Sequence, residues 1–181
     1  MRILDIGCGK NKYRGNDGDK VIGMDMSKDA DADFVHDVTK IPWPFENNQF
    51  DKIYTHHCLE HVDRSRLLDI MNEMRRVVKD RGIVEIHVPH FSSMTAYGSP
   101  DHVTQFAANT FEWFNAFGFK LQSLKLHYTD WQKPVGPLKR AFAHAVEWLA
   151  NRNVHFAERF WLYWVGGFFE ISAVLSVVKD N

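Results

Sequence analysis

The stretch Met1-Arg2-Ile3-Leu4-Asp5-Ile6-Gly7-Cys8-Gly9 decides the fold. Ile3, Leu4 and Ile6 make a short apolar run, interrupted by Asp5, that stops at two glycines. Such a run reads as a buried strand entering a turn where the backbone must approach something closely. A second run, Val21-Ile22-Gly23-Met24, stops at Asp25. A strand closed by glycines, followed by a strand closed by a carboxylate, is the layout of a nucleotide-binding α/β half. The glycine turn leaves room for the ligand, and the carboxylate accepts hydrogen bonds from ribose hydroxyls. The interval from Gly9 to Asp25 is shorter than in the dinucleotide fingerprint, and Lys12 stands where the third glycine of G-x-G-x-x-G would be. A pyrophosphate clamp is therefore not expected, which disfavours a dehydrogenase.

The 181 residues suffice for one domain with a full core. A formal net charge of −1 argues against a large basic face for nucleic acid. The two cysteines, Cys8 and Cys58, lie far apart, so no disulfide framework is expected and a reducing, cytoplasmic setting is. No secretory signal pattern is read, and no apolar run is long enough for a membrane span.

Outward from the opening strands, Lys10 to Lys20 is rich in Gly, Asn, Asp and Lys and predicts a short or irregular helix. Phe34-Val35-His36 reads as a third strand followed by Asp37-Val38, where Asp37 either accepts from a base amino group or caps a turn. Pro42 and Pro44 make Ile41 to Phe45 a packed loop. Phe50 to Thr55 is a fourth strand, and His56-His57-Cys58-Leu59-Glu60-His61 follows at its carboxyl end, where open α/β sheets place ligands. Asp63 is positioned to cap a helix running to about Val78, ended by Lys79 to Gly82 before a fifth strand, Ile83 to Pro89. His90 to Phe106 lacks periodicity and reads as a substrate loop holding Ser92, Ser93, Tyr97, Asp101 and His102. Asn109 or Thr110 is expected to cap a helix that Gly118 stops, and Phe119 to Tyr128 is a sixth strand. Leu138 to Asn151 and Val154 to Val165 read as two helices, the second dense in aromatics, before a last strand from Ile171 to Val178.

The ordered set Leu4-Asp5-Ile6-Gly7-Cys8-Gly9, Asp25, Asp37-Val38, Phe50-Asp51 and His57-Cys58-Leu59-Glu60-His61-Val62 resembles the class I S-adenosylmethionine-dependent methyltransferases. The likeness is nearest to the small methyltransferase-domain proteins of the type 11 kind, as in ubiquinone-type and cell-surface glycan pathways. It covers about residues 1 to 128 and the final strand. It implies an α/β, Rossmann-like, seven-stranded mixed sheet of order 3-2-1-4-5-7-6 flanked by helices, but lacking the usual N-terminal helices. It further implies a single domain over 1–181, with 137–168 a helical, aromatic-rich insertion before the last strand.

The resemblance also implies S-adenosylmethionine as cofactor. Asp5, Gly7 and Gly9 would surround its amino-acid portion. Asp25 would hold the ribose, with Met26 beside the adenine; Asp37 and Val38 would meet the adenine edge, and His56 and His57 would lie near the methionine moiety. With so little chain before the first strand, another segment or a subunit is expected to cover the cofactor. The implied activity is methyl transfer to a small-molecule, glycan or lipid-like hydroxyl. The competing readings are a non-catalytic binding or scaffold protein, or a protein or RNA methyltransferase; no Asn-Pro-Pro-Tyr-type motif follows strand four.

For a hydroxyl acceptor, His102 and His90 are the candidate bases, because imidazole titrates near neutrality. His56, His57, Cys58 and His61 suggest a metal, but adjacent histidines seldom point the same way and zinc needs about four converging ligands, so none is expected. The aromatic tail, with Trp148, Trp161 and Trp164, admits three readings: core, an apolar acceptor site or peripheral membrane surface, or a homo-oligomer interface.

Overall fold

A computed structural model describes residues 1–179. Seven strands form one sheet: β1 (Arg2–Ile6), β2 (Lys20–Asp25), β3 (Phe34–Val35), β4 (Phe50–His56), β5 (Val78–Pro89), β6 (Phe119–His127) and β7 (Glu170–Val177). Their order is β3-β2-β1-β4-β5-β7-β6, as the resemblance implies. The first five strands run parallel, and β7 is inserted antiparallel between β5 and β6. The chain leaves β1 toward β2 and β3, then returns on the other side of β1 as β4. That reversal opens a crevice outside the carboxyl ends of β1 and β4, where such sheets take ligands.

The helix α1 (Leu67–Val77) buries Leu67, Ile70, Met71, Met74 and Val77 in one apolar cluster with Ile53, Val84, Ile86, Val88, Ile171 and Ala173. On the other side of the strands the period of two presents Lys52, Tyr54 and His56 from β4, Glu85 and His87 from β5, and Glu170 and Ser172 from β7, all half-buried. Parallel strands covered by apolar layers on both faces are apolar throughout. These strands instead carry a polar row, which at the carboxyl ends of β4 and β5 and the amino end of β7 consists of histidines and a carboxylate.

Several boundaries differ from expectation. Residues 10–19 contain no helix. Their Gly, Asn and Asp content disfavours one, and the backbone is held elsewhere: Asp5 Oδ2 accepts from the Tyr13 N–H at 2.7 Å, and the Tyr13 ring stacks on Tyr54 at 4.2 Å. Asp63 does cap its helix, accepting from Ser65 N–H at 2.8 Å, through a 3-10 turn at Arg64–Arg66. That helix stops at Val77, because Val78 is already extended and pairs with Phe50; Lys79 to Gly82 belong to β5, whose register shifts there with Arg81 at φ 59°.

The helix α2 (Met94–Gly98) occupies part of the long loop. The next helix, α3 (Ala108–Trp113), is capped from Ala107 and not from Asn109 or Thr110. Its first N–H groups are satisfied by side chains: Thr110 Oγ1 accepts from Ala107 at 3.3 Å, and Glu158 Oε1, fifty residues away in sequence, from Ala108 at 2.7 Å. A 3-10 turn (Phe114–Phe117) then ends at Gly118, whose φ of 78° supplies the expected stop.

In the tail, α4 (Pro137–Ala150) is followed by α5 (Val154–Phe156), a π-turn (Ala157–Trp161) and α6 (Leu162–Val165). Only one stripe is core: Val146, Ala150 and Ala157 join the main apolar cluster, with Trp161 and Leu162 packed against it. Trp148, Tyr163 and Trp164 stand 62%, 78% and 87% exposed, so the core reading fails for these. Both cysteines are free, and among the described residues no helix is long and apolar enough to cross a membrane.

Candidate active site

The glycine turn after β1 is held down by Gly7 N–H donating to Met24 O at 2.8 Å. Gly7 and Gly9 take φ of 70° and 53°, the left-handed region that glycine enters without strain. A Cβ at Gly7 would stand 2.6 Å from Cys58 Cβ, so the turn and the segment after β4 are in direct backbone-to-side-chain contact. At Gly9 the same position meets nothing within 4 Å. The open side faces a cleft of about 660 Å³ lined by Gly7, Gly9, Asp25, Asp37, His57 and Asp101, among others. Met26 and Val38 line it too.

Asp25 sits at the end of β2 with Oδ2 accepting from Gly9 N–H at 2.9 Å and Oδ1 from Ser27 N–H at 2.8 Å, which aims the carboxylate into the cleft between the two loops. Asp37 accepts from both the N–H and the hydroxyl of Thr39, at 2.9 and 2.8 Å, and these hydrogen bonds hold its carboxyl below the usual range. Asp37 is thus a turn residue that also lines the cleft. Asp5 does not line it: the side chain is 3% exposed beneath the turn, and burial pushes its carboxyl up to about 6, against the pull of the Tyr13 N–H.

His57 belongs to two cavities. Beyond it, at the carboxyl ends of β4 and β5 and the amino end of the antiparallel β7, a second cavity of about 330 Å³ is lined by Tyr54, His56, His57, His87, Gln132 and Glu170, with Asp130 and Phe169. His56 lines only this one, so the two adjacent histidines differ in what they can reach. Their Nε2 atoms nevertheless both lie 3.3 Å from Glu170 Oε2. The expectation that adjacent rings diverge fails for a local reason. His56 is the last residue of β4, whereas His57 has left the strand at φ 51°, and that left-handed turn swings its ring back beside its neighbour.

The second nitrogen of His57 is fixed: Nδ1 lies 3.0 Å from Glu60 Oε1, and Glu60 is buried. His87 bridges two carboxylates, with Nδ1 3.0 Å from Glu170 Oε1 and Nε2 2.9 Å from Glu85 Oε1. Burial alone would depress both imidazoles, but the carboxylates outweigh it and raise His57 and His87 to about 9. The hydrogen bond from His87, joined by Lys52 and opposed by burial, brings Glu85 to about 2. Burial would raise Glu170, yet the three histidines around it hold its carboxyl well below the ordinary range.

The two candidate bases lie elsewhere. His90 is fully buried, with Nδ1 2.6 Å from Ser92 Oγ and Nε2 3.0 Å from Glu158 Oε1, and lines neither cavity. His102 packs edge-on against His61 at 4.7 Å on the rim of the first cleft, and its buried Nδ1 has no hydrogen-bond partner among the described residues. The loop is tied there by Val103 and Thr104 N–H groups donating to Glu60 O at 2.9 and 3.0 Å.

Sequence reading missed Tyr54, His87, Gln132 and Glu170. One signal was present: polar residues at alternate positions in strands otherwise apolar, Lys52-x-Tyr54-x-His56 and Glu85-x-His87. Glu170 gives no such signal, because only the antiparallel pairing of β7 with β5 brings it there.

With this geometry in place, comparison with known proteins is informative. The profile of the methyltransferase-domain family matches residues 4–86, which span the glycine turn, Asp25, Asp37 and the histidines after β4. No curated protein sequence matches the chain. Among solved structures, a SAM-dependent methyltransferase from Archaeoglobus fulgidus superposes with a TM-score of 0.65 at 18% identity, covering 97% of this chain and 85% of that one. A SAM-dependent methyltransferase from Aquifex aeolicus gives 0.60 at 14% identity, with coverages of 98% and 82%. The [4+2]-cyclase SpnF gives 0.63 at 16% identity, with coverages of 99% and 75%. At these identities the superpositions establish a shared fold.

Proposed function

We propose that this chain, which has the fold of the class I S-adenosylmethionine-dependent methyltransferases, is such an enzyme and that its acceptor is a small polar or lipid-like molecule carrying a hydroxyl. One observation carries the reading. His57 forms part of the wall of both the cofactor cleft and the second, polar cavity, so a molecule seated in that cavity lies next to the cofactor's methionine end. The cavity, at about 330 Å³, is the size of a small molecule or one end of a longer one.

The residues present fit the cofactor. Gly9 leaves open space where any other residue would place a Cβ, and Asp25 offers a carboxylate oriented by two backbone donors. When bound, the cofactor supplies an electrophilic methyl group on a sulfonium. The chain's own part is positioning: Asp25 would accept from the ribose, Asp37 and Val38 would meet the adenine edge, and His57 would stand between the two ligands. The acceptor's polar group faces His56, His57, His87 and Glu170, which orient it by hydrogen bonds; His57 and His87, raised to about 9, are donors to it at neutral pH. The cluster suits that task better than His90, which is sealed, or His102, which lines neither cavity.

The exposed Trp148, Tyr163 and Trp164, with the Arg152 guanidinium 4.7 Å over the Trp148 ring, favour a lipid-borne acceptor met at a membrane surface. Transfer of tritiated methyl from S-adenosylmethionine into fractionated cell extract, followed by mass spectrometry of the product, tests the proposal. Label is expected in a small-molecule or lipid fraction. Label confined to protein or RNA would overturn the acceptor class. Cofactor binding without any labelled product would favour a non-methylating use of the fold, which the [4+2]-cyclase SpnF shares.

A further inference from the structure

We propose that His56, His57 and Glu170 form a binding site for a divalent transition-metal ion of the zinc type, with two imidazole nitrogens and one carboxylate oxygen as protein ligands. His56, His57 and Glu170 each offer one donor atom, and these atoms all lie within 4.8 Å of one another. The two distances to the carboxylate fit such an ion. Each Nε2 is 3.3 Å from Glu170 Oε2, and ligands held about 2.05 Å from a tetrahedral centre are separated by about 3.3 Å. Two equal separations of that length to one oxygen are long for hydrogen bonds, which centre near 2.9 Å.

The groups behind the ligands are arranged as metal sites require. A ligating imidazole normally gives its other nitrogen to a carboxylate, and a ligating carboxylate is itself hydrogen-bonded. His57 Nδ1 lies 3.0 Å from the buried Glu60 carboxylate, and Glu170 Oε1 lies 3.0 Å from His87 Nδ1. The left-handed turn at His57 is the backbone feature that brings two consecutive side chains to one point. Such a conformation is disfavoured for a residue with a Cβ and persists where its surroundings demand it. Two histidines and one carboxylate leave at least one coordination position for another ligand; all three residues line the polar cavity, as does Gln132, whose Nε2 lies 3.2 Å from His56 Nε2 and would turn away when the ion binds. Glu60, which partners His57, also belongs with His61 and His102 to a second group of three donors, and this group serves as the internal control.

The test uses the full chain, stripped with a chelator and titrated with zinc chloride alone by calorimetry. Methyl transfer is not read, so failure here is separate from failure of the proposed acceptor. One equivalent should bind with sub-micromolar affinity. His56→Gln and Glu170→Gln should each weaken binding at least tenfold, and His61→Ala should leave it unchanged. Because Glu170→Gln removes charge from among three half-buried histidines and so puts the fold at risk, the unaltered protein carries a second measurement. Cobalt(II) added to it should shift the ring-proton resonances of His56 and His57 paramagnetically. Absence of saturable zinc binding overturns the site, and so do shifts centred on His61 and His102 in place of the pair after β4.

Discussion

Asp5→Asn isolates the ionisation of one buried carboxyl beneath the glycine turn. The side chain is 3% exposed and its folded pKa is about 6, against an ordinary 3.8, with burial as the leading cause. A carboxyl whose pKa rises on folding favours the folded state while protonated. That contribution is fully present below the unfolded pKa and is lost as pH rises through the folded one. A rise of about two units corresponds to about 3 kcal/mol, at about 1.4 kcal/mol per unit. Asparagine keeps an oxygen to accept from the Tyr13 N–H but cannot ionise. Urea unfolding of both proteins across about pH 4 to 8 should therefore show the original losing about 2–3 kcal/mol relative to Asp5→Asn, mostly between pH 4 and pH 7. Taking the difference between the two proteins cancels the other titrating groups. Parallel stability curves would refute the reasoning, since they would mean that Asp5 titrates alike in both states.

Three further outcomes follow from particular contacts. Asp25→Ala should weaken S-adenosylmethionine binding by about 10- to 100-fold in calorimetry, the value of one or two charge-assisted hydrogen bonds, with the apo protein still folded. Gly7→Ala places a Cβ 2.6 Å from Cys58 Cβ and 2.7 Å from its Sγ at a φ of 70°. It should cost more than the roughly 1–2 kcal/mol of left-handed strain alone, and combining it with Cys58→Gly should return the loss to that strain. Additive single-variant effects would show that the contact is not what limits the site. Glu73→Ala removes the acceptor of the Trp43 N–H at 2.6 Å and of Arg76 at 2.7 and 2.9 Å; it should cost about 3 kcal/mol in urea unfolding, with cofactor affinity unchanged.

The first half of the chain was legible because its information is local. Gly7, Gly9 and Asp25 each follow a short apolar run directly, so sequence spacing is spatial spacing. The same locality made Asp63 readable as a cap and Gly118 as a stop. Boundaries failed where a distant partner decided them. Helix α3 begins at Ala108 because Glu158 reaches its N–H from the tail, and Val78 leaves α1 because it pairs with Phe50.

What the sequence by itself determined is the first cleft: the glycine turn, Asp25 and Asp37 each follow one of the first three strands of a parallel sheet, where a short apolar run in the sequence stops. What only the tertiary structure decided is the second cavity. Its wall comes from β4, β5 and β7, and Glu170 reaches His56 and His57 through an antiparallel pairing that joins positions more than eighty residues apart. The two histidines meet there because a single residue, His57, turns left-handed on leaving its strand. Neither a long-range register nor one dihedral angle is written in local composition. Both follow from packing the whole chain, which is why the chemistry of the second cavity became visible only in three dimensions.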